Sequence, residues 1–537
     1  MKTQRTHWHT ATLIVGWLVS FGALAISGTV AAAANASTAD HSKFKELQQK
    51  FASGPDVTKA CLACHTEAAK QVHRTKHWTW EFLNPVTQQK VGKKTMVNNF
   101  CISAGANLTA CVSCHVGYGW KDASFDFKSE ANVDCLVCHD TTGAYSKPSG
   151  LAGHPATKRM ELPPGSGKFV NPVDLARVAQ KVGKSSRDTC GGCHFYGGGG
   201  DAVKHGDLDS SLSAPDREVD VHMDATGLDF TCGTCHVTSS HDVPGSRFTP
   251  TAKDESGKLM RGKTSDSNPT TCVACHGNRP HPIQDAKLND HASKIACQTC
   301  HVPEFARGGP ATKMSWDWST AGKMNEQGKP FTKKDEHGHV IYDSRKGDFV
   351  LAKDVVPEYM WFNGTVYYTL LSDKIDPTRV VQVNRFEGSP DDGKSVIWPV
   401  KVFRGKQPYD AGNNTLVTPH TAGTDDAAYW KTFNWPKAIA AGMATTGAPF
   451  SGKIGFVETE MRWPINHMVA PKANALACQQ CHSDNGRLKD IEGIYMPGRD
   501  SQKYLDILGG GAAFFALLGV LGHGALRIFS NRKKGGN

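Results

Sequence analysis

The sequence of 537 residues has little of several features that define common protein classes. Only one of its seventeen cysteines, Cys101, stands outside a repeated five-residue unit, so no set of cysteines is left for a disulfide framework. Hydrophobic residues make up only 39% of the chain, which does not favour a large aliphatic core. The repeated units are irregularly spaced, which excludes a simple repeat architecture.

The repeated unit is C-x-x-C-H, and it occurs eight times. One such unit could be a zinc or redox motif, but a histidine directly after every second cysteine is typical of covalent c-type haem attachment. The predicted thioether cysteines are Cys61, Cys64, Cys111, Cys114, Cys135, Cys138, Cys190, Cys193, Cys232, Cys235, Cys272, Cys275, Cys297, Cys300, Cys478 and Cys481. The predicted proximal iron ligands are His65, His115, His139, His194, His236, His276, His301 and His482. The sequence therefore predicts eight covalently bound c-type haems.

Haem attachment of this kind takes place outside the bacterial cytoplasm and requires export. Residues 1–36 have the pattern of a signal peptide: basic Lys2 and Arg5, an apolar stretch, and Ala34-Asn35-Ala36 as a cleavage site. A second apolar run, Ile507 to Leu526, is long enough for one membrane-spanning helix, and His523 is its single polar residue. The positive charges that follow it predict that the C-terminal end is cytoplasmic and that the body of the protein is periplasmic.

Charge gives no support to nucleic-acid binding. The formal net charge is +10, but two positive charges belong to the signal segment. Four more lie in the C-terminal tail, at Arg527, Arg532, Lys533 and Lys534, which leaves +4 for the part between. Haem propionates shift this balance further towards negative, so we expect no nucleic-acid partner.

We predict a mostly α fold with extensive irregular loops, a multihaem cytochrome c architecture in which the haems are the core, and a C-terminal transmembrane helix. Long sheets are not expected. Aromatic clusters such as WDW at 316–318 and YMWF at 359–362 indicate a haem-free lobe, partly extended and partly helical. The predicted organisation is a signal peptide (1–36), a seven-haem region (37–310), the haem-free lobe (311–465), an eighth-haem segment (466–503) and the membrane helix with its basic tail (504–537).

The remaining histidines supply candidates for the distal iron positions. A chain built only for electron transfer fills every distal position with a strong ligand, whereas a catalyst leaves one open or weakly held. Sequence context favours eight distal candidates: His41, His77, His205, His222, His241, His281, His291 and His467. Five others, His73, His154, His337, His339 and His420, are more typical of surface or loop residues.

Several local motifs resemble one known family. They are VNNFC before the second unit, CLVCHDTTGAY at the third, FYGGGGDAVKHGDLD after the fourth and WPINHMVAP before the last. In these motifs and in the order of the eight units, the chain resembles the octahaem tetrathionate reductase family over most of residues 40–485. The resemblance implies seven bis-histidine haems, a catalytic second haem with a lysine amine as distal ligand, and a cysteine beside that haem.

Two lysines could be that ligand. Lys204 follows the glycine run at 197–200, and in an extended segment Lys204 and His205 point opposite ways and could serve different haems. Lys147, after DTTGAYS, is the alternative. A buried lysine near a metal has a depressed pKa, stays neutral and has a lone pair to offer iron.

The unit-free Cys101 precedes the second haem unit by ten residues. With lysine and ferric iron nearby, we expect a lowered thiol pKa and a nucleophilic sulfur able to attack the central S–S bond of a polythionate. An inert buried thiol is the alternative. Asp242 and Asp207 are further candidates for the polar lining of the same site.

The function predicted on this basis is an oxidoreductase that reduces a small inorganic oxyanion such as tetrathionate or nitrite, or hydroxylamine. Its expected partner is a membrane or periplasmic electron donor, for example a quinol-linked cytochrome. Two alternatives remain open: a non-catalytic electron conduit with eight bis-histidine haems, and a hydroxylamine oxidoreductase, which would need a tyrosine-modified haem.

Overall fold

The structure is a computed structural model that describes residues 37–164, 166–254, 270–500 and 502–534. The predicted signal segment therefore lies outside the described residues. Helices account for 28% of the structure and strands for 17%, so the prediction of a mostly α fold is not confirmed.

Most helices are short. Before the large sheet they are α1 (Gly54–Leu62), α2 (Ala68–His73), α3 (Lys76–Thr79), α4 (Leu108–Cys111), α5 (Leu136–His139), α6 (Leu175–Ala179), α7 (Arg187–His194), α8 (Cys232–Cys235), α9 (Val273–His276), α10 (Ala286–His291) and α11 (Cys297–His301). Within and after it come α12 (Tyr429–Thr432), α13 (Trp435–Thr446), α14 (Cys478–Cys481) and α15 (Lys503–Lys534). Each C-x-x-C-H unit overlaps one helical turn, so its two cysteines, three residues apart, lie on the same face.

The strands fall into two groups. Four short ones lie among the early helices: β1 (Phe82–Leu83), β2 (Lys90–Val91), β3 (Met160–Glu161) and β4 (Phe169–Val170). The others are β5 (Thr312–Asp317), β6 (Thr332–Lys334), β7 (Val340–Asp343), β8 (Gly347–Ala352), β9 (Glu358–Phe362), β10 (Val366–Tyr368), β11 (Val381–Gln382), β12 (Asn384–Phe386), β13 (Val396–Asp410), β14 (Thr415–Leu416) and β15 (Ile454–Pro464).

A nine-stranded sheet occupies the predicted haem-free lobe. Its strands run in the order β11-β15-β13-β5-β8-β7-β6, with β9 and β14 also paired to β13. The expectation that long sheets are unlikely is therefore wrong. The aromatic clusters explain this, because aromatic and β-branched side chains pack well on a pleated surface: Trp316 of β5 and Phe362 of β9 are both buried.

The long strands β13 and β15 hold the sheet against the helical region. They pair antiparallel from Val400 opposite Pro464 to Asp410 opposite Ile454, and this register sets Lys401 opposite Trp463. The sheet buries an aromatic core that includes Trp316, Trp318, Phe362, Trp398, Phe403 and Trp463. Because Phe100 and Val203 from the helical region belong to the same core, the sheet and that region pack as one body.

Helix α15 is separate in character from this core. Between Tyr504 and Ser530 it is long and apolar enough to cross a membrane, with mean hydropathy 1.8, and none of its most apolar stretch is buried. Its length and composition are those of a membrane-spanning helix.

Candidate functional site

A continuous cavity of about 3970 Å³ runs through the helical region and is lined by all sixteen cysteines of the C-x-x-C-H units. It is several times larger than the roughly 300–1,000 Å³ of an ordinary ligand pocket. Both its size and its lining fit a row of porphyrins bound through paired thiols.

Seven pairs of histidines face each other across this cavity. Their ring centroids are 6.0–6.4 Å apart. Two imidazoles that each lie about 2 Å from one metal ion place their ring centroids roughly 6 Å apart. The pairs are His41 with His65, His241 with His139, His77 with His194, His467 with His236, His222 with His276, His281 with His301, and His291 with His482.

Hydrogen bonds orient these rings. The Nδ1 atom of His139 lies 2.8 Å from the carbonyl oxygen of Gly183, and that of His236 lies 2.9 Å from the carbonyl oxygen of Pro244. The Nδ1 atom of His241 lies 2.8 Å from the side-chain oxygen of Gln71. A hydrogen bond at Nδ1 fixes the tautomer that leaves Nε2 free for a metal, so the donor set fits haem iron.

Neighbouring thiols give the order of the units along the cavity. The sulfur atoms of four cysteine pairs are close enough to influence each other's pKa: Cys61 with Cys135, Cys114 with Cys193, Cys190 with Cys232, and Cys272 with Cys297. Electrostatic interactions link Cys138 to Cys190, Cys235 to Cys275 and Cys300 to Cys481. Along the cavity, the first C-x-x-C-H unit is therefore followed by the third, and the fourth to eighth units come next in chain order. The second unit lies beside the fourth.

The second unit differs from the other seven because its histidine has no histidine partner among the residues that the structure describes. The Nε2 atom of His115 lies 2.7 Å from the carbonyl oxygen of Trp78, while its Nδ1 is buried without a hydrogen-bond partner. The ring stands among aromatic side chains and does not line the cavity: Trp78, Trp80, Trp120, Phe125 and Phe127. The structure therefore does not place His115 where a proximal iron ligand is needed, because the nitrogen that would bind iron is already hydrogen-bonded.

Lys204 and His205 line the cavity beside the second unit. Burial holds the pKa of the Lys204 amine well below its usual range, and Cys114 and Cys101 are close enough to interact with it electrostatically. The glycine run is needed for this approach: a Cβ on Gly197 would meet the Lys204 side chain at 3.0 Å, and Gly199, at φ +89°, lies next to the sulfur of Cys101.

His205 was predicted as a distal ligand, but among the described residues no C-x-x-C-H histidine pairs with it. Its ring instead stands edge-on to Trp463, at a centroid distance of 5.0 Å. The other seven distal candidates all face a C-x-x-C-H histidine, so His205 is the only one of the eight that the structure does not pair.

The amine of Lys147 is held by an ion pair and by backbone carbonyl groups next to the second unit. Its amine forms a fully buried ion pair with Asp134 at 2.9 Å and donates hydrogen bonds to the carbonyl oxygens of His115 and Gly117. It does not line the cavity. The amine of Lys147 also interacts electrostatically with Cys114, so both candidate lysines lie beside the second unit.

Cys101 lies in the same part of the cavity as Lys204, but its expected acidity is wrong. Burial raises the pKa of its thiol, and Lys346, Lys313, Lys93 and Lys204 only partly oppose this effect. The thiol is held in place by its backbone, because the side-chain oxygen of Asn98 accepts the N–H of Cys101 at 2.8 Å.

The two aspartates lie away from Cys101. Asp207 lines the cavity and accepts hydrogen bonds at 3.0 Å from both the backbone N–H and the Nδ1 of His467, so it orients that imidazole. Burial opposes ionisation of Asp207, but the His467 hydrogen bonds outweigh it and hold the pKa below its usual range. Asp242 is exposed beside His241, and no contact joins it to Cys101 or Lys204 in the described part of the chain.

Sequence reasoning missed a set of residues that the sheet brings to Lys204. Lys401 is fully buried and donates to the carbonyl oxygen of Val203 at 3.1 Å and to the hydroxyl of Thr312 at 2.6 Å. That hydroxyl in turn donates to the carbonyl oxygen of Ala202 at 2.7 Å. No local motif marks Lys401; the only signal was a lysine within the apolar run from Val396 to Phe403.

Comparisons with known proteins show the family to which the chain belongs. A family model described as "Cytochrome c bacterial" matches residues 313–485, and one described as "Cytochrome c554 and c-prime" matches residues 31–140. The protein is thus a multihaem c-type cytochrome that binds haem covalently. The structure of an octahaem cytochrome c from Shewanella oneidensis is 41% identical with a TM-score of 0.73, covering 84% of this chain and 95% of that one. The chain belongs to the octahaem tetrathionate reductase family of cytochromes.

A more distant relative matches a smaller part of the chain. An uncharacterized protein of Archaeoglobus fulgidus is 25% identical over 243 residues, which is 38% of this chain and 80% of that protein. Membership of a family of cytochromes establishes a redox role for the chain; the substrate and the iron ligands belong to the proposal that follows.

Proposed function

We propose that this protein is a periplasmic, membrane-anchored octahaem reductase of tetrathionate, nitrite or hydroxylamine that acts at its second haem. One observation carries the proposal: in the described part of the chain, seven C-x-x-C-H histidines face a second histidine across the cavity, and the eighth, His115, does not. A coordination site that differs from seven electron-transfer sites is what a catalyst requires.

Lys204 is the residue that we propose as the iron ligand at the second haem. When bound there, haem iron supplies a centre that accepts single electrons and binds a small molecule. Burial favours the neutral form of the Lys204 amine, and only this form has a lone pair for a metal. With His115 turned towards Trp78, no second side chain is committed to that iron, and a substrate can approach.

The chain connects this site to the others through the fourth unit, because the thiols of Cys114 and Cys193 are in contact. The seven histidine pairs make bis-histidine sites, which take up electrons without binding substrate. They therefore form a route that ends at a single reactive centre.

Cys101 suits the sulfur substrate. Attack of its thiolate on the central S–S bond of tetrathionate would form a mixed S–S bond and release one thiosulfate. Two electrons from the haems would then release the second thiosulfate and restore the thiolate. Because burial raises the thiol pKa, the four neighbouring lysines must supply the positive potential that this step needs.

Variants of Lys204 and Cys101 test the proposal. Lys204→Met should change the spin state or ligand field of one haem, seen by EPR and magnetic circular dichroism, while Lys147→Met should not. Cys101→Ala should lose tetrathionate reduction and keep nitrite and hydroxylamine reduction. Unchanged spectra of the Lys204 variant, with eight low-spin bis-histidine haems, would instead indicate an electron conduit.

Helix α15 and the covalent haem attachment support the proposed location and the proposed electron donor. Helix α15 has the length and apolarity of a membrane anchor, and c-type haem attachment belongs to the periplasmic side. A quinol-linked membrane cytochrome is the partner that suits a reductase held in this position.

A further inference from the structure

A second buried cation stands beside Lys204. Arg247 lines the cavity, and its guanidinium carbon lies 4.8 Å from the ring centroid of Trp463. The amine of Lys204 lies 5.2 Å from the same ring centroid. The two side chains therefore contact the same tryptophan ring, and the charge of Arg247 helps to lower the pKa of the Lys204 amine.

The guanidinium of Arg247 has no acidic partner within residues 37–254 and 270–500. Its Nη1 atom is buried and makes no hydrogen bond. Its guanidinium also lies over the ring of Phe248, at 4.4 Å from the centroid, and interacts electrostatically with Tyr368. Burial lowers the pKa of the guanidinium, and the interaction with Tyr368 opposes this effect only in part.

An uncompensated buried cation is costly, and its neighbours increase the cost. Lys204 and His205 both interact with it unfavourably when they are charged. A buried charge is normally paired, and a planar guanidinium with free donors matches the oxygens of an oxyanion in a bidentate arrangement. An anion placed against Trp463 would pair with Arg247, beside the neutral amine of Lys204.

We propose that Arg247 binds the oxygen atoms of an anionic substrate at the Lys204 site. The inference rests on the proposed reduction of small oxyanions there and adds the residue that selects for them. It applies to a sulfonate end of tetrathionate and to nitrite, which are charged, but not to hydroxylamine, which is mostly uncharged at neutral pH. Arg247 thus separates two classes of substrate that the same iron could reduce.

A carboxylate of a haem propionate has the same chemistry and could occupy the same position. A propionate partner would influence the haem whatever the substrate. A substrate-binding arginine would affect only charged ligands, so the two sources give different results in one set of measurements.

The experiment uses the full-length haem-loaded protein in detergent and sulfate as a non-reducible probe. Calorimetric titration should show that Arg247→Gln weakens sulfate binding at least tenfold, whereas Arg247→Lys retains part of the affinity. The KM for nitrite should rise by a similar factor in Arg247→Gln, and the KM for hydroxylamine should not change. Arg217→Gln is the control, because Arg217 lines the same cavity but is exposed.

Three results would overturn the inference. One is equal sulfate affinity in wild type and Arg247→Gln, or no sulfate binding in either. Another is an equal rise in the KM for nitrite and in the KM for hydroxylamine. The third is a change in haem content or in the haem potentials of Arg247→Gln without a change in anion binding, which would assign Arg247 to a propionate. Sulfate binding needs no turnover, so it tests Arg247 even if the protein reduces none of these compounds.

Discussion

The amine of Lys401 donates a hydrogen bond of 3.1 Å to the carbonyl oxygen of Val203, the residue before Lys204. Lys401 belongs to the central strand of the sheet, opposite Trp463, and is completely buried. The haem-free lobe therefore holds the backbone of the segment that presents Lys204 to the cavity.

Replacing Lys401 should disturb the second haem although Lys401 does not line the cavity. Lys401→Met removes the hydrogen bonds to Val203 and Thr312, at a cost of about 1.5–3 kcal/mol in the free energy of unfolding. We expect at least a tenfold loss of turnover and an altered EPR signal from the lysine-ligated haem, with the bis-histidine signals unchanged. Lys406→Met, on the same strand, is the control. An unaltered signal from the second haem would show that Lys401 has only a structural role.

The histidine pairs predict which imidazoles matter for haem spectra. His77→Met should convert one of seven bis-histidine haems into a histidine–methionine haem, visible as one lost low-spin EPR signal and a raised potential. His205→Met should leave all seven bis-histidine EPR signals unchanged. In the described structure His205 contacts Trp463 and does not contact any C-x-x-C-H histidine. Loss of a bis-histidine signal in His205→Met would contradict the pairing.

His115 should be dispensable as an iron ligand. Its ring lies among tryptophan and phenylalanine side chains, so His115→Phe preserves packing while removing the hydrogen bond to Trp78. We expect the signal of the second haem to persist in His115→Phe, whereas His194→Phe should abolish that of the fourth. The prediction fails if both variants lose one haem signal.

Lys313 gives the stability of the protein a dependence on pH. Burial lowers the pKa of its amine to about 7, and the amine lies 3.4 Å from the ring centroid of Phe349. Between about pH 7 and the unfolded pKa of roughly 10.4, the unfolded chain holds a proton that the folded protein does not, so stability rises with pH across this range.

The substitution Lys313→Met should remove this rise and stabilise the protein most below pH 7. Thermal unfolding midpoints at pH 6.5 and pH 9.5 would measure the effect. Lys333→Met, at an exposed position in β6, should behave as wild type. A difference between the two midpoints as large in Lys313→Met as in wild type would disprove the assignment.

Removal of residues 503–537 tests the anchor. If α15 is the membrane helix, the shortened protein should appear in the soluble periplasmic fraction with its haem spectra intact. It should be reduced normally by dithionite but slowly by membrane quinol. Membrane association of the shortened form would mean that another part of the chain holds it there.

The sequence by itself determined the covalent chemistry. C-x-x-C-H is a local unit in which spacing alone brings two thiols to one helical face. All sixteen haem-attachment cysteines could therefore be predicted from the sequence, and in the structure all of them line the cavity.

Only the tertiary structure decided what depends on contacts between distant residues. His467 meets His236 across more than two hundred residues, His205 meets Trp463, and Lys147 meets Asp134. The nine-stranded sheet was missed for the same reason, because strand pairing is non-local and haem-rich composition suggested a fold without it. The sequence places ligands within reach of a haem, but packing decides which nitrogen is already hydrogen-bonded and which is free to bind iron.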